Sequence, residues 1–266
     1  MEHLLNPRII TFLTDFGTRD AFVGIMKGVI LEICPTASLV DLSHEVPPQH
    51  ILSGALLLRS AVPYFPSGTI HVVVIDPGVG SSRRALVVET RQAYFVGPDN
   101  GVLSLAVPES DVVRVIHLTN EQYFLPQRSQ TFHGRDVFAP VAAHLARGVA
   151  IEQLGVEVPT MERLSLPPVR QQMHGLAGCI IHIDHFGNAI TNIAEADLRP
   201  FPRAALLASI GTVRICGVVA SYASVAIGAP ALIVNSWGLV EIAVRNGSAA
   251  QCFGLQLGQP IFLTTH

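Results

Sequence analysis

A chain of 266 residues has room for one large domain or two unequal ones, and its formal charge of -3 with a pI near 6.4 leaves it without the basic footprint of a nucleic-acid binder. Only 14% of its residues are charged, against roughly 25% in ordinary soluble domains. Apolar surface is therefore expected to be buried beyond an ordinary core, most simply at a subunit interface.

The first part alternates strand and helix. An acid at position 2 and the early Asp15 argue against a signal peptide. Arg8 to Thr14 reads as a central strand, followed by Phe22, Ile25, Met26, Val29, Ile30 and Ile33 at helical spacing up to Pro35. Ser38 to Leu42 reads as a strand and His50 to Val62 as a helix before Pro63. Two apolar runs, Val72–Ile75 and Ala85–Val88, flank the linker DPGVGSSRR, longer than a plain hairpin needs and carrying Asp76 and Arg83. Further strands are expected at Ala93–Val96 and Val112–Leu118, with the turn GPDNG between them. GRDVFAPVAAHLARG reads as a helix with Pro140 in its first turn. This alternation predicts an α/β sandwich with helices on a mainly parallel sheet over residues 1–165.

From about residue 155 the texture changes. The proline-rich VEVPTMERLSLPPVRQQMHG lacks periodicity and reads as a linker. Beyond it, short apolar runs separated by Gly, Asn and Ser predict a smaller all-β, barrel-like domain over 172–266. The uncharged run ICGVVASYASVAIGAPALIV reaches membrane-spanning length, yet its Gly, Pro, Ser and Tyr favour two strands and a turn. Cys34, Cys179, Cys216 and Cys252 form no CxxC pair, which excludes zinc-ribbon spacing and suggests reduced, mostly buried thiols. No membrane segment is expected, and the location is read as cytoplasmic.

Ligands in open α/β sheets bind outside the carboxyl ends of strands, where Asp15, Asp76 and the stretch TFHGRD with His133 fall. Each has a plain alternative: either aspartate capping a turn, or His133 hydrogen-bonding at the start of a helix. GVGSSR lacks both the P-loop lysine and the dinucleotide third glycine. HIDHFGN has His-x-x-His spacing, but residues three apart on a strand face opposite ways, so no metal site is expected. A GxSxG elbow is missing.

Six segments occur in order: LTDFGTRDAFVGIMKG, VIDPGVGSSRRALVVE, GPDNGVLS, TFHGRDVFAP, IDHFGNAITNI and VNSWGLVEIAVRNGSAA. Together they closely resemble the S-adenosyl-L-methionine (SAM) hydroxide adenosyltransferases, or SAM hydrolases, relatives of the SAM-dependent fluorinase and chlorinase. The resemblance implies cleavage of SAM to adenosine and L-methionine by water-derived hydroxide at ribose C5′. SAM is then the substrate, and no cofactor is expected. It matches Asp76, Arg83 and His133 to the family residues that handle the water, and their chemistry suits it: Asp76 can accept a proton or hydrogen bond from water, Arg83 favours the developing hydroxide and His133 can pass the proton towards solvent. Asp15 matches the acid on the ribose hydroxyls, Asn188 the adenine reader, and Asp184 and Ser236 the groups on the methionine amine and carboxylate. Phe186 is an adenine-stacking ring or a core residue, and Asp20 serves the amino-acid end or caps a helix. Trp237 stands where the halogenases carry an arginine near the methionine carboxylate, so that end is expected to be recognised differently. Asp99 and Asn100 are expected to shape a turn. The family also implies a homotrimer with sites at subunit interfaces. Two other readings are a non-catalytic adenosine or SAM sensor, which has no need of a water-activating set, and a SAM-dependent halogenase. In halogenases an aromatic residue replaces the acid matching Asp76, which would repel a halide.

Overall fold

The computed structural model describes residues 8–173 and 175–265. Residues 1–7, on which the signal-peptide reading partly rests, lie outside the described residues, as do His174 and His266. The chain divides into two compact units, Met1–Leu164 and Ser165–His266.

In the first unit the strands are β1 (Ile9–Thr14), β2 (Ser38–Ser43), β3 (Thr69–Val74), β4 (Ala85–Thr90), β5 (Ala93–Pro98), β6 (Val112–Leu118) and β7 (Gly155–Glu157). They form one sheet in the order β2-β1-β3-β5-β4-β6-β7. The helices are α1 (Phe22–Ile33), α2 (Ile51–Ala61) and α3 (Ala139–Ala146). Alternation along the strands feeds two cores. Ile10, Phe12, Ile70, Val72 and Val74 pack with Met26, Ile30 and Val141 of α1 and α3. Leu13, Val73, Ile75 and Val88 face the other way, with Leu58 of α2. The expected α/β sandwich is present.

The sheet is more evenly mixed than the sequence suggests. β1–β2, β1–β3 and β3–β5 pair in parallel, whereas β4–β5, β4–β6 and β6–β7 are antiparallel. The cause is a tight hairpin through Arg91 and Gln92, which carry none of the usual turn signals. Residues 156–164, read as the irregular start of a linker at the end of the first domain, are tied into this unit: β7 pairs with β6, and the backbone N–H groups of Glu162 and Leu164 donate to Asp99 Oδ1 (2.7 Å) and Ser104 Oγ (3.0 Å).

β1 is the switch point. The chain crosses from β1 through α1 to β2 on one side, then through α2 to β3 on the other. The carboxyl ends of β1 and β3 lie side by side, with Thr14 paired to Val74, and the loops leaving them diverge to open a crevice. Asp15 and Asp76 follow those two ends.

The second unit holds β8 (Arg170–Gln172), β9 (Gly175–Ile183), β10 (Ala189–Ala194), β11 (Leu206–Ile210), β12 (Val213–Cys216), β13 (Val218–Val219), β14 (Pro230–Val234), β15 (Leu239–Val244), the short helix α4 (Ala249–Phe253) and β16 (Pro260–Thr265). The sheet runs β12-β11-β16-β9-β10-β15-β14-β13, with β8 beside β9. Its two end strands are consecutive in the chain, joined by Gly217 alone, so the sheet curls into the expected barrel-like form around Ile180, Ile193, Leu232 and Ile261. Among the described residues no helix is long and apolar enough to cross a membrane. The thiols depart from expectation. All four are free, but Cys216 and Cys252 are exposed and only Cys34 is buried, because the first two lie on the barrel's outer strand and on α4.

Candidate active site

The loop after β3 is built to return an arginine onto its own aspartate. Val79 N–H donates to Asp76 O (3.1 Å) and Ser81 N–H to Gly78 O (3.0 Å), while the Ser81 hydroxyl accepts from Arg83 N–H (3.2 Å). Gly80 adopts φ +78°, and a Cβ there would lie 2.5 Å from the Gln130 carbonyl oxygen. A glycine is thus required both by conformation and by the close approach of the segment leading to His133.

Arg83 Nε donates to Asp76 Oδ1 and Oδ2 (3.0 and 3.1 Å) and its Nη2 to Oδ2 (2.5 Å). The same Nη2 donates to His133 Nδ1 (2.8 Å), and the guanidinium lies 5.5 Å from the Phe138 ring centroid. A guanidinium has only donors, so Nδ1 must present its lone pair and the imidazole is neutral with its proton on Nε2. Burial pushes the His133 pKa below its ordinary value, and the Arg83 charge adds to that, against opposition from Asp76 and Asp136. The Asp76 and Arg83 side chains are only 5% and 10% exposed, so their attraction is weakly screened.

The supports of this cluster are a turn that the sequence led one to expect and one side chain, Asp136, that it did not. Asn100 Nδ2 donates to Ile75 O (2.9 Å), fixing the backbone just before Asp76, and its Oδ1 accepts from Val102 N–H (3.1 Å). Asp99 takes Arg84 Nε (2.7 Å). Both therefore organise the turn, as expected. Fully buried Asp136 accepts from Ser129 N–H (2.7 Å) and Arg135 Nε (2.6 Å), tying down the segment before His133. His133 leads into a π-helical turn, Gly134–Phe138, that runs into α3, with Pro140 in the first turn of α3. The proline position matches expectation, and the wider turn upstream is the addition.

Asp15, Asp76, Phe132 and His133 line one cavity of about 240 Å³. Asp15 Oδ2 accepts from Gln49 N–H (2.7 Å), leaving Oδ1 to a ligand. Asp20 is exposed and does not line this cavity; the position capping α1 is Ala21, without a side-chain bond. The capping alternative for Asp20 is therefore not what the fold uses.

In the second unit a cavity of about 510 Å³ is lined by Phe186, Asn188, Tyr222 and Arg245. Asp184 holds Asn188, accepting its N–H (2.8 Å) and Nδ2 (2.9 Å) on separate oxygens. Asn188 keeps Oδ1 and one amide proton for a ligand. Phe186 is 73% exposed, which removes the core-packing alternative. Gly187, at φ +81°, closes the turn; a Cβ there would collide with the Ser248 hydroxyl. Ser236 is exposed, and Trp237 packs its ring 5.4 Å from that of His182. His182 is buried on β9 while His185 lies exposed in the turn. Among the described residues no three His, Cys, Asp or Glu side chains group to hold a metal ion.

Residues 10–155 match the family described as SAM hydroxide adenosyltransferase N-terminal domain, and residues 178–262 its C-terminal domain. The chain is 39% identical to an (R)-S-adenosyl-L-methionine hydrolase of Salinispora tropica, over 96% of this chain and 97% of that protein. It is 40% identical to one of Thermus thermophilus, over 96% and 99%. The crystal structure of an uncharacterized conserved protein from Thermotoga maritima superposes with a TM-score of 0.89 at 35% identity, covering 96% of this chain and 99% of that one.

Proposed function

This chain belongs to the SAM hydroxide adenosyltransferase family, and from that premise we propose that it hydrolyses SAM to adenosine and L-methionine with Asp76, Arg83 and His133 preparing the water. The observation that carries the reading is the single Arg83 Nη2 that bonds both Asp76 and His133 at the carboxyl edge of the sheet.

The reaction needs help mainly on the attacking side. The leaving group is a neutral thioether departing from a sulfonium, which requires no proton, whereas water is a poor nucleophile. Asp76 accepts the proton as water attacks C5′; the C5′–O bond forms as the C5′–S bond breaks, and the proton later leaves to solvent. Arg83 does not itself line the cavity of Asp15, Asp76 and His133; it holds the carboxylate and the imidazole in place and lends its positive charge to the developing hydroxide. His133, with Nδ1 committed to Arg83, orients the water through Nε2–H rather than relaying its proton. The Asp76–Arg83 pair is nearly neutral overall, so it does not repel the sulfonium as a lone arginine would. Nucleophile and substrate lose opposite charges as they react, so a water-poor pocket favours the transition state.

Asp15 holds the ribose hydroxyls, Asn188 reads the adenine edge with Phe186 stacked on it, and Asp184, Ser236 and Trp237 receive the methionine end, with Asp20 at its margin. No cofactor is needed by this chemistry. The active assembly is a homotrimer in which the first unit of one chain faces the second unit of another, a reading supported by the family and by the low charge content. The cytoplasm, where SAM is available and thiols stay reduced, fits four free cysteines. Incubation with SAM in oxygen-18 water tests the proposal: label is expected at the 5′ oxygen of adenosine and activity is expected to survive chelation. Unlabelled adenosine, or activity restored only by an added metal, would overturn it.

A further inference from the structure

Beneath the ligand-facing residues of the second unit lies a buried carboxylate that the reaction does not use. Glu241 on β15 is 2% exposed, and among the described residues its side-chain partners are two neutral donors. Tyr222 Oη donates to Oε1 (2.8 Å) and Asn235 Nδ2 to Oε2 (3.0 Å). Burial pushes the carboxyl above its ordinary pKa and the two donors oppose the rise; burial, with the bond to Glu241, pushes the Tyr222 phenol up to about 12. A buried anion without a countercharge is costly, so its place calls for a reason.

The reason lies in Asn235. Its Oδ1 already accepts the N–H groups of Trp237 (2.9 Å) and Leu239 (3.1 Å), which closes the turn bearing Ser236 and Trp237. That commitment fixes the amide orientation, so Nδ2 must point at Glu241 and Glu241 must accept on both oxygens. A glutamine could keep the bond from Asn235 only by turning its amide onto Tyr222, whose hydroxyl would then accept instead of donate. At the other end, the Tyr222 ring lines the cavity that holds Phe186 and Asn188.

We propose that Glu241 is a positioning residue for both ends of SAM, setting the adenine-side wall through Tyr222 and the methionine-side turn through Asn235. This rests on the assignment above of Asn188 to adenine and of Ser236 and Trp237 to methionine.

The two arms can be separated. Asn235→Asp still accepts the Trp237 and Leu239 N–H groups but sets a carboxylate oxygen against Glu241, which breaks that arm and leaves the bond from Tyr222 alone. It should raise KM for SAM about tenfold or more, the scale of one lost buried hydrogen bond, with kcat and adenosine affinity nearly unchanged. Tyr222→Phe should instead weaken adenosine several-fold. Combining Asn235→Asp with Glu241→Gln restores complementarity, because it reverses the polarity of the bond between the two side chains and leaves the others alone. The carboxylate then sits in the turn, where it accepts the two backbone N–H groups and the glutamine amide, while the glutamine carbonyl still accepts from Tyr222. This double variant should recover most of the KM. Equal losses for adenosine and SAM in Asn235→Asp, an unchanged KM in that variant, or a folded double variant whose KM stays raised would each overturn the inference. If Asn235→Asp fails to fold, the double variant decides alone. Asn188→Ala and Ser236→Ala serve as references. If these leave adenosine and SAM binding intact, the underlying assignment has failed rather than the role of Glu241.

Discussion

Among single residues, one guanidinium joins an acid and an imidazole, and variants of the three should reflect that sharing. Asp76→Ala should slow hydrolysis by about 10²–10⁴-fold while adenosine still binds. Arg83→Ala and His133→Ala should also be slow, and double variants should be little worse than the slower single one, because the three act on one water. Near-normal turnover in Asp76→Ala, or losses that multiply, would remove the shared role. Acidity gives a second handle. His133 functions neutral, and its folded-state pKa lies below the ordinary 6.5. Activity should therefore persist as pH falls through 6.5 and decline only below it, as His133 gains a proton and loses its bond from Arg83. A pH–rate profile whose acid limb sits at or above 6.5 would contradict this assignment. These residue types were legible in the sequence, and the resemblance matched them to a water. Of their supports only the turn of Asp99 and Asn100 was expected. Asp136 on Ser129 N–H and, in the second unit, Glu241 under Asn235 are side-chain bonds that leave no periodic trace.

Among the elements, the loop between β3 and β4 depends on Gly80. Gly80→Ala meets both a left-handed φ and the Gln130 carbonyl, a local cost of about 1–3 kcal/mol. It should lower kcat more than melting temperature. Gly68→Ala, at φ +84° with nothing within 4 Å of its Cβ, should alter stability alone, and kinetic measurements on the pair separate loop placement from strain. Within β3, His71 is fully buried, with Nδ1 2.7 Å from Thr11 Oγ1, and burial holds its pKa down to about 4 from 6.5. The unfolded chain binds that proton first. The contribution is fully present above pH 6.5 and is lost as pH falls towards 4, by about 3 kcal/mol in all. Denaturant unfolding at several pH values should show this slope, and Thr11→Val with His71→Leu, which removes both partners, should flatten it. Apolar periodicity made most strands and helices of the first unit readable in advance. The Arg91-Gln92 hairpin escaped because neither residue favours a turn, and the anchoring of residues 156–164 escaped because Asp99 and Ser104 hold them from a distance in sequence.

For the molecule as a whole, the proposed trimer is open to a mixing experiment. Asp76→Ala and Asn188→Ala chains, each nearly inactive alone, should regain about a quarter of the wild-type rate after co-refolding at equal amounts, because random cyclic assembly joins intact first and second units at about one interface in four. A site confined to one chain would always carry one defect, and verified mixed oligomers without recovery would exclude sharing. The barrel-like second unit was readable from its short strands; the assembly has no such signature in one chain beyond its sparse charge. Each of the two cavities is lined by residues of a single unit. If they complete one another across chains, SAM is a cross-link as well as a substrate. Every molecule bound favours association by mass action, so dilution should lower specific activity, and a saturating unreactive SAM analogue should shift the dissociation midpoint to lower protein concentration.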